Sequence, residues 1–252
     1  MAEPVTLITG ASAGLGAEFA RQCAKRGEPL ALAARRRDRM EALAREIGGE
    51  IHIFAADLAK AGAAASLIAE IEAEGLSVGT LINNAGFGLA GKFMDRPLAK
   101  LSEIVDLNVR TLTELCHLVL PAMLARGEGA ILNVASTAAF QPGPNMAVYY
   151  ASKAYVLSFT EALHHELKGS VIKVSALCPG PTHSEFSDVA DSHSPTLERM
   201  KMPAAPVVAA GLDGLDRNKA VVIPGFKNKV GAQASRFLPR STMRNIIGRI
   251  KV

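Results

Sequence analysis

Short apolar runs rich in β-branched residues alternate along this chain with longer segments whose apolar positions recur every three or four residues. Residues 5–9, 30–34, 51–55, 80–82, 130–135, 172–177 and 220–223 read as strands. Most are apolar on both faces, as strands of a parallel sheet covered on both sides must be. Residues 14–26, 37–47, 61–74, 98–125, 149–168 and 206–216 read as helices. Repeated β-α units imply right-handed crossovers, and so an α/β doubly wound sheet of about seven strands. No repeat, linker or low-complexity stretch interrupts the rhythm, which predicts one domain over residues 1–252.

Two stretches break the pattern. Residues 181–203 are polar and rich in Ser and His. They follow the sixth strand, at the sheet edge where such folds bind ligands, and are expected to form a substrate lid. Residues 225–252 hold seven Lys/Arg and no Asp/Glu, so the net charge of +4 belongs to this tail and is no footprint for nucleic acid. From Ser241 the tail reads as a basic amphipathic helix. It is expected to pack on its own domain or on a subunit partner in preference to an anionic membrane surface.

Composition narrows the class further. At 49% hydrophobic and 21% charged residues the chain suits a large core and not disorder. No apolar run reaches the ~20 residues of a membrane span. The start carries no basic region or cleavage site of a secretory signal. Cys23, Cys116 and Cys178 are far apart and lack metal-ligand spacing, so they read as buried reduced thiols of a cytoplasmic protein. The six histidines pair with no carboxylate at metal spacing, and no metal is expected.

The segment from Thr9 to Gly16, TGASAGLG, follows the first strand and opens the first helix. Gly10, Gly14 and Gly16 let the backbone turn tightly and approach a pyrophosphate. The helix N-terminus, with Ser12 and Leu15 beside it, offers free N–H groups. Its TGxxxGxG spacing resembles the glycine motif of the short-chain dehydrogenase/reductase family, over roughly residues 5–223. That resemblance implies a Rossmann-like sheet in the order 3-2-1-4-5-6-7.

The second strand ends in Ala34-Arg35-Arg36-Arg37, where an NAD enzyme of this topology places a ribose-binding acid. Arginine forks suit a 2′-phosphate, so Arg35 and Arg36 are read as selecting NADP(H) over NAD(H). Many NADP-dependent relatives also carry a basic residue inside the glycine loop, where this chain has Ala13. Asp57 and Leu58, after the third strand, resemble the family's adenine contact. Asn83-Asn84-Ala85-Gly86 resembles its NNAG motif; the resemblance implies that Asn84, Ala85 and Gly86 line the adenosine ribose.

The strongest signal is Tyr149-Tyr150-Ala151-Ser152-Lys153. Tyr149 and Lys153 are four apart and share a helix face, whereas Tyr150 is out of phase. Ser136 lies thirteen residues before Tyr149, and Asn108 in the preceding long helix. Carbonyl reduction adds hydride to carbon and a proton to oxygen. Tyrosine can give that proton, but its anion is scarce near neutrality. A unit charge at ~4 Å is worth about 4 kcal/mol at an effective dielectric of ~20, roughly three pKa units.

By resemblance, Tyr149 is then the acid/base and Ser136 holds the substrate oxygen. Lys153 lowers the tyrosine pKa and binds the nicotinamide ribose, and Asn108 anchors a water for proton supply. Pro179-Gly180-Pro181-Thr182-His183-Ser184 resembles the turn that clasps the nicotinamide carboxamide, with Ser184 in the place usual for threonine. Tyr149 and Lys153 themselves are expected to touch the cofactor, as are Pro179, Gly180, Thr182 and Ser184.

Phe87, Phe93, Phe140, Gln141, Met146 and Phe186 adjoin these motifs, and no Lys or Arg falls in loops 138–148 and 182–195. The expected activity is therefore NADP(H)-dependent interconversion of a hydrophobic ketone or aldehyde with its alcohol, in a homodimer or homotetramer. A 3-oxoacyl-thioester reductase and, from another class, a catalytically silent NADP-sensing binding protein are the alternatives.

Overall fold

The computed structural model describes residues 2–192 and 194–249. His193, Ile250 and Lys251, placed above in the 181–203 segment and the tail, lie outside the described residues. The chain runs β1 (Glu3–Thr9), α1 (Gly14–Lys25), β2 (Leu30–Ala34), α2 (Arg37–Ile47), β3 (Ile51–Ala55), α3 (Ala63–Ala73), β4 (Leu76–Asn83) and α4 (Leu98–Val105). A π-helical turn, Asp106–Thr111, leads without a break into α5 (Leu112–Arg126). Then come β5 (Ala130–Val134), α6 (Ala147–Glu166), β6 (Lys173–Leu177), α7 (Phe186–Val189), α8 (Pro195–Glu198), α9 (Ala204–Asp216), β7 (Val221–Val222), α10 (Phe226–Phe237) and α11 (Arg240–Gly248).

All seven strands are parallel, in the order β3-β2-β1-β4-β5-β6-β7, as the sequence predicts. Alternation along each strand divides the core in two. Leu7, Ala31 and Leu81 face the layer that includes α3, α5 and α6. Ile8, Leu32 and Ile82 face the layer that includes α1, α2 and α9. Both faces are buried, which is why the strands read as apolar throughout.

Polar residues also cross the core. The Asn83 amide donates to Asn133 Oδ1 at 3.0 Å, and Asn133 donates to Thr160 Oγ1 at 3.0 Å. This chain of bonds ties β4, β5 and α6 together at the end of the sheet from which the site loops emerge.

Four expectations are corrected. The helix at 98–125 holds a π-helical turn, because one extra residue per turn leaves no trace in a four-residue periodicity. Strand β4 starts at Leu76, where pairing with Glu3 of β1 overrides the weak propensity of Gly79. Strand β7 keeps only two residues at the sheet edge, paired on one side with β6. The tail carries two helices, of which only α11 begins near Ser241. No described helix is long and apolar enough to cross a membrane.

Candidate active site

The glycine loop joins β1 to α1 at the C-terminal edge of the sheet. Gly10 has φ +68°, and a Cβ there would stand 2.9 Å from Ala85 Cα. A Cβ at Gly16 would overlap the Gly10 carbonyl. Helix α1 can therefore start hard against the loop only with glycine at these two points. Ala13 gives α1 no side-chain cap and its first turn has no acid, which leaves backbone N–H groups facing outward. Leu15 packs partly on the α1–α2 side of the core.

The NNAG segment fastens this loop. Asn84 and Ala85 donate their N–H groups to Thr9 Oγ1, each at 3.0 Å, and the Asn84 amide donates back to the Thr9 carbonyl at 2.9 Å. Asp57 accepts from Ala59 N in a tight turn, and Leu58 buries its side chain in the core. Thr111 holds the Leu58 carbonyl at 2.5 Å, so the π-helical turn supports this corner too.

The two arginines after β2 part company. Arg36 reaches the glycine loop, donating to Ser12 Oγ at 3.3 and 3.2 Å, and pairs with Glu185 at 2.9 Å. Arg39, one turn further along α2, also pairs with Glu185. These two cations hold the Glu185 carboxyl below the usual carboxylate range, Arg39 first. Arg35 instead leans toward Glu103 of α4 at 3.6 Å and stays largely exposed. Arg36 and Arg39 thus share one carboxylate beside the glycine loop, and Arg35 points away from them because successive side chains at a strand end diverge.

At the sheet edge beyond β5, Ser136 caps a short 3₁₀ turn, accepting from Ala138 N at 3.1 Å. Tyr149 and Lys153 leave α6 on one face. Lys153 is buried and donates to the Val134 carbonyl at 2.7 Å, with Nζ 5.9 Å from the centre of the Tyr149 ring. Gly86 lies against both Asn108 and Lys153. Burial draws the Lys153 ammonium down to about 8. Burial also pushes the Tyr149 phenol up to about 12; the neighbouring Ser136 hydroxyl pulls the other way, and Tyr150 adds to the rise.

The effect expected of Lys153 has this burial to work against. Within the chain, the loss of solvation outweighs a cation whose bonds run to Val134 rather than to the phenol oxygen. Asn108 is buried beside them. Its amide is spent on the Phe87 backbone, at 3.1 and 3.0 Å, and on Ser152 Oγ at 3.0 Å. The side chain therefore braces the pocket wall.

The segment after β6 folds back on itself. Its ends meet where Met202 N donates to the Pro181 carbonyl and His183 N to the Met202 carbonyl. Ser136 donates to the Pro179 carbonyl at 3.4 Å, and Gly180 rests against Asn228 of α10. The Thr182 hydroxyl turns inward to the Gly180 carbonyl, while Ser184 stands over Gly14. Phe186 packs against the Tyr149 ring at 5.1 Å between centroids, the two planes tilted by 49°. Ala90, Met146, Ala190 and Tyr150 complete an apolar cluster around it.

Sequence reasoning missed Arg39, Glu185, Asn133 and Asn228. Only Arg39 left a signal, three residues after Arg36 and so on the same helix face.

A doubly wound sheet with this glycine loop and this Ser–Tyr–Lys group defines an oxidoreductase class: the chain belongs to the short chain dehydrogenase family, whose model matches residues 4–194. It is an enzyme of CH–OH and C=O groups that binds a nicotinamide cofactor. Among similar proteins, sulfoacetaldehyde reductase 2 of Chromohalobacter salexigens is 37% identical over 187 residues, 73% of this chain and 74% of that one. Very-long-chain 3-oxoacyl-CoA reductase of Anas platyrhynchos is 32% identical over 252 residues, covering 96% of this chain and 78% of its own length. A short-chain dehydrogenase of Sphingobium yanoikuyae, solved in complex with NADPH, superposes with TM-score 0.82 at 33% identity, covering 93% of this chain and 95% of that one.

Proposed function

We propose that the chain is an NADP(H)-dependent reductase of hydrophobic ketones or aldehydes, working reversibly on the alcohols. The observation that carries this reading is the Tyr149 phenol, set beside Ser136 on the face of Lys153 and roofed by Phe186. At neutral pH the phenol holds its proton and can release it to a substrate oxygen that Ser136 positions. Lys153 lies within reach of a ribose at Gly86, and Asn108 keeps that wall in place. The uncapped start of α1, with Gly10, Ser12, Gly14 and Gly16, fits a pyrophosphate. Asp57, Ala85, Pro179, Gly180, Thr182 and Ser184 would line the rest of the dinucleotide. Bound there, the nicotinamide supplies the hydride.

Preference for NADP(H) is supported by Arg36 and Arg39, which already grip one anion between them, and by the NADPH-bound relative. The apolar cluster at Ala90, Met146, Phe186 and Ala190 supports an apolar substrate. Loops 138–148 and 182–195 have no cation to receive a small sulfonate, so that relative's substrate is not carried over. Residues 181–203 act as the lid of a single-domain enzyme. Three buried thiols suit a reducing cytoplasm. The shallow apolar strip at Val105, Val109, Ala147, Val148 and Ala151 suits a homodimer or homotetramer contact.

A 3-oxoacyl-thioester reductase is the second reading, favoured by the Anas relative and by the cationic tail. NADPH and NADH oxidation over bulky ketones, aldehydes and acetoacetyl thioesters tests both. Turnover of bulky ketones with NADPH is expected. Turnover confined to thioesters would establish the second reading, and none with any carbonyl would refute both.

A further inference from the structure

Helix α10 is mounted with its apolar side outward. The helix docks through the opposite side. Asn228 rests on Gly180 and donates to the Pro224 carbonyl at 2.8 Å, and Ala232 is buried. On the free side Phe226 is 81%, Val230 51% and Phe237 84% exposed. At about 100° per residue these three fall within a narrow stripe, with the two rings about 16 Å apart along the axis. Lys227 and Lys229 flank the stripe and are exposed.

Helix α11 behaves differently. It buries Met243 on its own domain and sets Gly248 against Pro144, in the loop before Tyr149. It still turns Arg240, Arg244, Ile246 and Arg249 outward. The packing expected of the tail thus describes α11, whereas the larger apolar stripe of α10 is left over.

We infer that the α10 stripe and its cations dock the enzyme on an anionic lipid surface. Charge decides between occupants. A second copy meeting this face across a two-fold axis would set cations against cations, since residues 225–252 contain no acid. Anionic headgroups complement that charge, and a straight stripe of two rings and a valine enters a bilayer without needing a shaped partner. The helix that carries the stripe docks on Gly180, in the turn beside the site, so a membrane-dissolved substrate would reach the site from that side.

The test is co-sedimentation of the full chain with vesicles of phosphatidylcholine alone or mixed with phosphatidylglycerol. Binding is expected only to the phosphatidylglycerol vesicles, weakening as salt rises from about 0.05 to 0.5 M. The doubly substituted Phe226→Ser/Phe237→Ser and Lys227→Glu/Lys229→Glu chains should each partition at least about tenfold less, with unchanged thermal melting, because all four residues are exposed. Failure of the wild-type chain to bind these vesicles, or equal binding by Phe226→Ser/Phe237→Ser, would overturn the proposal. So would a wild-type oligomer that ignores vesicles and dissociates in that variant, which would assign the stripe to a second copy.

Discussion

Replacing Arg36 by alanine should cost this enzyme NADPH and leave NADH almost untouched. Arg36 donates to Ser12 in the glycine loop and to the Glu185 carboxylate, and in the proposed reading its guanidinium would receive the 2′-phosphate. Hydrogen bonds to charged groups contribute about 1.5–3 kcal/mol. The Arg36 side chain is 41% exposed, which screens the interaction toward the lower figure, about 1.5 kcal/mol or roughly tenfold in affinity. Arg39 keeps part of the charge in place and limits the loss further. The opposite sign is expected of Glu185→Gln. That change removes a carboxylate competing for both arginines and should tighten NADPH severalfold. Equilibrium titration of each variant with NADPH and NADH, followed by nicotinamide fluorescence, reads both effects. Equal weakening of the two cofactors in Arg36→Ala would refute the selectivity argument. So would weaker NADPH binding in Glu185→Gln.

Two further outcomes follow from the core. Asn133→Ala should cost about 1–3 kcal/mol, seen as a lower urea midpoint, because it removes two buried hydrogen bonds, from the Asn83 amide and to the Thr160 hydroxyl, each contributing about 0.5–1.5 kcal/mol, while Asn83 keeps the Leu112 carbonyl and Thr160 the Val156 carbonyl. Stability should fall as pH rises from about 9. Burial pushes the Cys116 and Cys178 thiols up to about 12, as it does Tyr149, and also raises Cys23. In that window the unfolded chain releases these protons while the folded chain retains them, so raising pH favours unfolding. Lys153, drawn down to about 8, acts in the opposite sense between about 8 and its ordinary value, but it is one group against four. A melting temperature that holds level from pH 9 to 11 would contradict this.

The parts of the fold legible in the sequence were those governed by short-range pattern. Strands β2 and β3 and helix α2 begin and end where apolar runs and helical spacing place them; both faces of β2 and one face of α2 are buried, and β3, at the sheet edge, is partly covered. Tyr149 and Lys153 could be paired because four residues make one helical turn. What stayed hidden depends on distant partners. Glu185 meets Arg36 across 149 positions. The polar chain through Asn133 reads in sequence as one amide in an apolar strand. Phe186, which packs on the Tyr149 ring, sits on a segment whose local pattern predicts only a polar loop. Helix α10 escaped notice because Gly231 and its lysines weaken the pattern, and its orientation is set by Asn228 and Ala232 docking on the domain.

The account stands or falls on the Tyr149 hydroxyl. Tyr149→Phe keeps the ring that packs on Phe186 and removes only the proton donor, so it should bind NADPH with wild-type affinity while ketone-dependent NADPH oxidation falls by about 10²–10⁴-fold. A Tyr149→Phe enzyme that binds NADPH normally and reduces the ketone at the wild-type rate would contradict it.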